Sequence, residues 1–168
     1  MRFQNIYFHC GDYLKQSLYM PIEEIESVIS EIEWKPSYQF SENGKNFEHQ
    51  TAYNKAFTEK FLGRGWDSQP LLRREPRLIG DFRKSLVFVE IQFGNSSALY
   101  RDYYKFQYGL AHGLLSMAVL IVPTGPKQFF PTRPRSVQNM AEYTLAETCF
   151  TILPINLPTL LIGLMPEN

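Results

Sequence analysis

The clearest pattern of apolar and polar positions along the chain runs from Leu86 to Phe93. Successive side chains of a β-strand point to opposite faces. One face of this strand would carry Leu86, Phe88, Glu90 and Gln92, and the other would carry Val87, Val89, Ile91 and Phe93. The stretch is therefore predicted to be a buried strand that ends on a carboxylate and an amide.

A second run, Met117–Val122, is apolar on both faces, which is typical of a central strand. Between the two runs, apolar residues recur at helical spacing and predict a helix over 96–115. The recurring apolar residues are Leu99, Tyr103, Phe106, Leu110 and Leu114, and the charged residues expected to face away from the core are Arg101, Asp102 and Lys105. A strand, a crossover helix and a second buried strand predict two parallel strands in one sheet.

The remaining pattern predicts further elements on both sides of this unit. Helices are expected over 21–32, from Thr51 to about Gly63 and from Ser136 to about Cys149. One strand is expected to end at Asp81 and another to run over 158–165. Turns or loops are expected over 41–46, 66–76, 83–85 and 124–134. Residues 1–20 form either a strand or irregular structure. We therefore expect a single α/β domain over residues 1–168, with a mixed central β-sheet flanked by helices on both faces.

Composition narrows the class of protein. The sequence has no apolar run of the roughly 20 residues that span a membrane, and its first residues lack the apolar core of a signal peptide. We therefore expect a cytoplasmic protein with no membrane partner. Cys10 and Cys149 are too few and too far apart to suggest a disulfide framework or a zinc site.

Charge is balanced overall, with 17 basic and 17 acidic residues, but it is unevenly distributed. Every charged residue over 21–33 is acidic, whereas bases predominate over 60–84 and over 127–135. A local basic patch can hold a DNA phosphate backbone even when the chain is neutral, and it can equally be a solvated face. Charge therefore permits nucleic-acid binding without requiring it.

Asp81 and Glu90 are the candidate catalytic carboxylates. Eight residues separate them, which allows one strand to end at Asp81 and the next to bring Glu90 back beside it. The two carboxylates can then share one Mg²⁺, with the backbone carbonyl of Ile91 as a third ligand, while Gln92 positions a water. In a purely structural alternative, Glu90 marks where the strand reaches solvent and Asp81 is a turn residue.

Other kinds of site have weaker support. His9, His49 and His112 are scattered along the chain, so they favour neither a metal site nor a nucleophilic triad. The glycines form no phosphate-binding loop. The tyrosines over 100–108 fit helix packing or a subunit contact better than base stacking.

The segments Gly80–Asp81 and 89–95 resemble the active-site segment of type II restriction endonucleases of the BglII/BstYI group. That group belongs to the PD-(D/E)XK nuclease superfamily and has glutamine in place of the usual lysine. The resemblance extends more weakly from about residue 20 to the segment 160–165, and it implies a restriction-endonuclease-like core. It also implies that Asp81 and Glu90 bind a catalytic metal, and that Gln92 occupies the lysine position.

The resemblance also implies where DNA is bound. Asn95 is placed like a residue that contacts DNA near the scissile bond, and the loop 132–136 falls where the group reads base edges. The candidate DNA contacts are then Asn95, Lys127, Arg133, Arg135 and Ser136, with the arginines suited to guanine edges or to phosphates. Gly94 and the loop arginines depart from the relatives, which affects the target sequence more than the cleavage chemistry.

We therefore expect a Mg²⁺-dependent type II restriction endonuclease that cuts double-stranded DNA at a palindromic, GATC-like site. A domain of this size offers one metal site, so cutting both strands requires a homodimer, with the helix 96–115 as part of its interface. A companion DNA methyltransferase acting on the same site would be consistent with this function, although the sequence does not identify one. Two alternatives are a PD-(D/E)XK nuclease of DNA repair or recombination, and an inactive nuclease-like module that binds DNA or protein.

Overall fold

The computed structural model describes residues 1–36, 38–47, 49–133 and 137–167, and of Phe40, Phe47 and His49 it describes the backbone only. The strands are β1 (Arg2–Phe8), β2 (Phe40–Glu42), β3 (Lys45–Phe47), β4 (Asp67–Ser68), β5 (Leu71–Arg73), β6 (Leu78–Ile79), β7 (Phe82–Lys84), β8 (Val87–Ile91), β9 (Met117–Pro123) and β10 (Thr159–Met165). The helices are α1 (Asp12–Ser17), α2 (Tyr19–Glu31), α3 (His49–Gly63), α4 (Ala98–Ala111), α5 (Pro126–Phe129) and α6 (Tyr143–Ile152). No helix in the described part of the chain is long and apolar enough to cross a membrane.

The main sheet of the described residues has six strands in the order β1-β10-β9-β8-β7-β4. β8, β9 and β10 are parallel to one another, because α4 and α6 carry the chain back to the start of the next strand. β7 turns directly back on β8 and is antiparallel to it, and β1 is antiparallel to β10 at the other edge. The sheet is therefore mixed, as the sequence predicted.

Both faces of the sheet are covered by helices. Val87, Val89 and Ile91 of β8 belong to an apolar cluster that includes residues of α2 and α3. Phe88 of the same strand belongs to a second cluster with residues of α4 and α6. The alternation predicted for the strand and the flanking of the sheet by helices on both faces are confirmed.

Several boundaries differ from the prediction. Residues 41–46 form the β2–β3 hairpin around Asn43 and Gly44, which take the positive φ values of 52° and 74° that such a tight turn requires. The predicted loop 66–76 contains β4 and β5, and residues 1–20 form β1 and α1. The strand predicted to end at Asp81 ends at Ile79, and residues 83–84 of the predicted turn 83–85 belong to β7. The turn before β8 therefore lies at Ser85, which has a φ of 52°.

The last helix was predicted seven residues too early. It begins at Tyr143, whereas Ser136 lies outside the described residues. Residues just before Tyr143 instead bond the segment after β8: the N–H of Ala141 donates to the Gly94 carbonyl at 2.8 Å, and the N–H of Ser96 donates to the Asn139 carbonyl at 2.7 Å. A long-range pairing therefore takes the backbone groups that a helix would have used.

Gly80 fixes the approach of the chain to Asp81. A Cβ atom at Gly80 would lie 1.8 Å from the ring of Phe88, which is fully buried. We expect Gly80→Ala to lower the free energy of unfolding by about 1–3 kcal/mol, because a packed ring must move. Urea unfolding measures this, with Gly63→Ala as the control because a Cβ there meets open space. Unchanged stability of Gly80→Ala would contradict the packing described.

Candidate active site

Asp81 and Glu90 lie opposite each other at the end of the β7–β8 pair. Phe82 pairs with Val89, so the residue before Phe82 faces the residue after Val89 across the two strands. The backbone N–H of Ile91 donates to Oδ2 of Asp81 at 2.8 Å. The short β7–β8 turn thus brings together the two carboxylates that the sequence singled out.

The carbonyl of Ile91 lies on the same side of β8 as Asp81. The N–H of Gln92 donates to the Ile121 carbonyl in β9 at 2.9 Å. Backbone groups of successive strand residues point to opposite sides, while the N–H and C=O of one residue point to the same side. Since the Ile91 N–H bonds Asp81, the Ile91 carbonyl also points away from β9 and toward the carboxylate edge.

Glu90 is buried against two charged residues of α4. Nζ of Lys105 donates to Oε2 of Glu90 at 2.7 Å and to Oδ1 of Asp102 at 3.0 Å. Glu90, Asp102 and Lys105 are 3%, 0% and 5% exposed. The prediction that Asp102 and Lys105 face away from the core is therefore wrong, and only Arg101 of that set is exposed.

The burial of Asp102 and Lys105 could have been predicted from their spacing in the sequence. Asp102 follows Leu99 by three positions and precedes Phe106 by four, so it lies on the buried stripe of α4. Lys105 follows Asp102 by three positions and lies beside it. A charged residue on an apolar helical stripe needs a partner, and the strand joined to this helix carries Glu90.

Gln92 bonds at both ends of its amide. Its Nε2 donates to Oδ2 of Asp102 at 2.7 Å, and its Oε1 accepts a hydrogen bond from the N–H of Gly94 at 2.8 Å. A Cβ atom at position 94 would lie 2.6 Å from that oxygen, so glycine leaves room for the amide to fold back. A continuous network therefore runs from Gly94 through Gln92, Asp102 and Lys105 to Glu90.

The electrostatics of the two carboxylates follow from this burial. Burial raises the pKa of Asp81, while the Ile91 N–H and the charge of Lys105 oppose the shift. Burial raises the pKa of Glu90 well above its usual range, the charge of Asp81 adds to the shift, and Lys105 opposes it. Burial would lower the pKa of Lys105, but the charges of Glu90 and Asp102 outweigh it and raise that pKa.

The carboxylate edge has the chemistry of a site for a hard cation. Oε1 of Glu90 is buried and has no hydrogen-bond partner in the described part of the chain. A cation shared with Asp81 would satisfy that oxygen and offset the repulsion between the carboxylates. Within the described ranges, no group of three or more acidic, histidine or cysteine side chains comes together. Two carboxylates and the Ile91 carbonyl suit Mg²⁺, because it usually keeps several waters.

The predicted DNA contacts that the structure describes follow β8, in the case of Asn95, or β9, in the case of Lys127 and Arg133. Asn95 and Arg133 line the same cavity of about 250 Å³, which also contacts Gly94. Lys127 lines a neighbouring cavity of about 460 Å³ that shares residues 138–140 with the first. Arg135 and Ser136 lie outside the described residues.

Comparison with known proteins identifies the family of the sequence and similar solved structures. The sequence matches the family model "Restriction endonuclease BglII/BglIII" over residues 5–164. A search of curated proteins found no match. Among solved structures, the chain is similar to BglII complexed with a DNA 16-mer, with a TM-score of 0.76, 17% identity, and coverage of 99% of this chain and 79% of that one. It is also similar to free BglII, with a TM-score of 0.65, 20% identity, and coverage of 99% and 81%.

The structural similarity confirms the predicted restriction-endonuclease-like core, with its mixed sheet between layers of helices. The family match covers nearly all of the sequence, including both carboxylates and the α4 network. The protein therefore belongs to the BglII/BglIII restriction endonuclease family.

Proposed function

We propose that this chain is a Mg²⁺-dependent endonuclease that cuts double-stranded DNA at a palindromic, GATC-like site. The observation that carries the proposal is the juxtaposition of Asp81 and Glu90 at one sheet edge, in a chain of a restriction endonuclease family. DNA as the substrate is further supported by the relative whose structure contains a DNA 16-mer. The proposal takes residues 1–168 as a single endonuclease domain that acts in the cytoplasm.

Asp81, Glu90 and the carbonyl of Ile91 would hold the cation. When bound, such a cation lowers the pKa of a water and offsets negative charge on a phosphodiester. Oε1 of Glu90 supports the assignment, since it is a buried oxygen that no donor of the described residues satisfies, and a cation would satisfy it.

The other residues of the network position these ligands. The Ile91 N–H fixes one oxygen of Asp81, and Lys105 fixes Oε2 of Glu90, which leaves Oε1 for another partner. Gln92 holds Asp102, which in turn holds Lys105. We assign Gln92 to positioning within the site. The Gln92 amide has a second N–H and a second lone pair on its oxygen, and either of these could bind a water.

DNA would be held along the loops that follow β8 and β9. Asn95 and Arg133 line one cavity, and Lys127 lines the neighbouring cavity. Residues of the two cavities could therefore contact successive phosphates of one DNA strand. Arg135 and Ser136 complete the proposed set. Cutting both strands of a palindrome needs two sites, so we propose a homodimer, with a methyltransferase as a companion protecting host DNA. Tyr100 and Tyr104 on the exposed side of α4 are candidates for the dimer contact.

Digestion of unmethylated plasmid tests this function. With Mg²⁺ we expect discrete fragments whose sequenced ends share one palindrome, and with EDTA we expect intact plasmid. A branched DNA substrate distinguishes the repair alternative, which would cut it in preference to plain duplex. Random ends, or intact plasmid with Mg²⁺, would contradict the proposed function.

A further inference from the structure

A cavity of about 370 Å³ lies beside Asp81 on the α4 side of the sheet edge. Its walls come from two elements that are far apart in sequence: Gln69, Arg77 and residues 78–81 on one side, and Arg101 and Lys105 of α4 on the other. Asp81 also lines a second cavity of about 200 Å³ together with Ile91. The first cavity therefore adjoins the candidate cation site directly.

Most bases of the segment 60–84 are already paired with acids. Lys60 and Arg64 pair with Glu31, Lys84 pairs with Glu24, and Arg83 pairs with Asp67. The pairs with Glu24 and Glu31 explain how the acidic helix α2 and the basic segment of the sequence balance each other. They also leave few bases of this segment available to a ligand.

Arg77 and Arg101 differ from those paired bases. Both are exposed, and neither makes a hydrogen bond or an ion pair with any residue that the structure describes. Arg101 is nevertheless close enough to Asp81 to act on the pKa of that carboxyl, against the effect of burial. Two guanidinium groups thus flank the cavity with their donors directed to no described protein acceptor.

Apart from the two arginines, the charges around the cavity are mainly negative, so positively charged groups are needed if a phosphate is to bind there. When ionised, the carboxylates of Asp81, Glu90 and Asp102 outnumber the single ammonium of Lys105, so a phosphodiester approaching them would be repelled. Arginine matches phosphate oxygens with two parallel hydrogen bonds and stays charged at all relevant pH values. Two arginines at the mouth offset the excess negative charge where the DNA must enter.

We propose that Arg77 and Arg101 together bind one backbone phosphate of the strand that is cut, next to the phosphate facing Asp81 and Glu90. This inference rests on the proposed function. It adds a phosphate-binding pair on the α4 side of the site, separate from Asn95, Lys127 and the loop 132–136.

Duplex binding in EDTA tests the pair without any contribution of cleavage. We expect Arg77→Gln and Arg101→Gln each to weaken binding roughly tenfold or more, because a charge-assisted contact is lost. The slope of log affinity against log salt should fall by about one, as expected for one lost phosphate contact. Arg74→Gln is the matched control, because Arg74 is exposed in the same β5–β6 turn and does not line the cavity. It should bind within about twofold of wild type.

A duplex with a single neutral methylphosphonate, moved along the strand, tests whether both arginines serve one phosphate. At one position, wild type should lose roughly tenfold or more in affinity, each single variant should lose less, and the double variant Arg77→Gln with Arg101→Gln should lose nothing further. Wild-type affinity and salt slope in both variants, or an equal loss in Arg74→Gln, would overturn the inference. If either result is found and wild type still cuts plasmid, the inference fails while the proposed function stands. A wild type that cuts no DNA would overturn both.

Discussion

Glu90→Gln is expected to lower the single-turnover rate of DNA cleavage roughly a thousandfold or more, because a divalent cation contributes several kcal/mol to phosphodiester hydrolysis. Binding of duplex DNA in EDTA should be at least as tight as in wild type, since Glu90 is buried and the change removes a negative charge. Glu33→Gln is the control, because Glu33 is exposed and, among the described residues, forms an ion pair with Lys35 alone. Cleavage by folded Glu90→Gln at the wild-type rate would show that Glu90 does not serve the reaction.

The same variant should be more stable than wild type at neutral pH without metal. The pKa of Glu90 is raised in the folded protein, so its neutral form favours folding below the unfolded value of about 4.3, and that contribution is lost as pH rises through the folded pKa. Glutamine stays neutral throughout. The stability advantage of Glu90→Gln should therefore shrink as pH falls toward 4, which thermal unfolding across pH would measure.

Lys105→Met is expected to lower the free energy of unfolding by about 3–5 kcal/mol, because it leaves two buried carboxylates without their shared cation. Lys105 is the partner of both Glu90 and Asp102. Methionine keeps an unbranched side chain, so the change removes charge with little loss of packing. Urea unfolding at neutral pH measures the effect.

The double variant Asp102→Asn with Lys105→Met provides the control for charge. It removes one negative and one positive group, so the formal charge of the network equals that of wild type. It should recover part of the stability lost in Lys105→Met, because one of the two carboxylates that paired with Lys105, rather than both, is then left without its cation. Equal stability of wild type and Lys105→Met would contradict the ion pairs described for α4.

The sequence was sufficient for the strand that carries Glu90 and for the helix and strand that follow it, but not for β7 next to Asp81. Alternation over 86–93 predicted which residues of β8 face each apolar cluster, and the two-sided apolar run 117–122 predicted a central strand, now β9. Both patterns depend on burial alone, and burial of apolar side chains is what a sequence records most directly. The strand–helix–strand unit that carries Glu90 followed from them.

The network behind Glu90 could not be obtained in the same way. Periodicity assigns charged residues to the solvent face, so it placed Asp102 and Lys105 outside, whereas they satisfy each other and Glu90 inside. The start of α6 was missed for a similar reason: Ala141 bonds Gly94, which is far away in sequence. In both errors the interacting residues are brought together by the fold. A local sequence pattern does not contain such long-range contacts.

Binding of Mn²⁺ tests most directly whether Asp81 and Glu90 share one divalent cation. Mn²⁺ takes the same oxygen ligands as Mg²⁺, and the electron paramagnetic resonance signal of free Mn²⁺ counts the ions that bind. Titrating the protein with duplex DNA present, we expect one Mn²⁺ per chain that excess Mg²⁺ displaces, and loss of that ion in Glu90→Gln. Equal Mn²⁺ binding by wild type and Glu90→Gln would contradict the account.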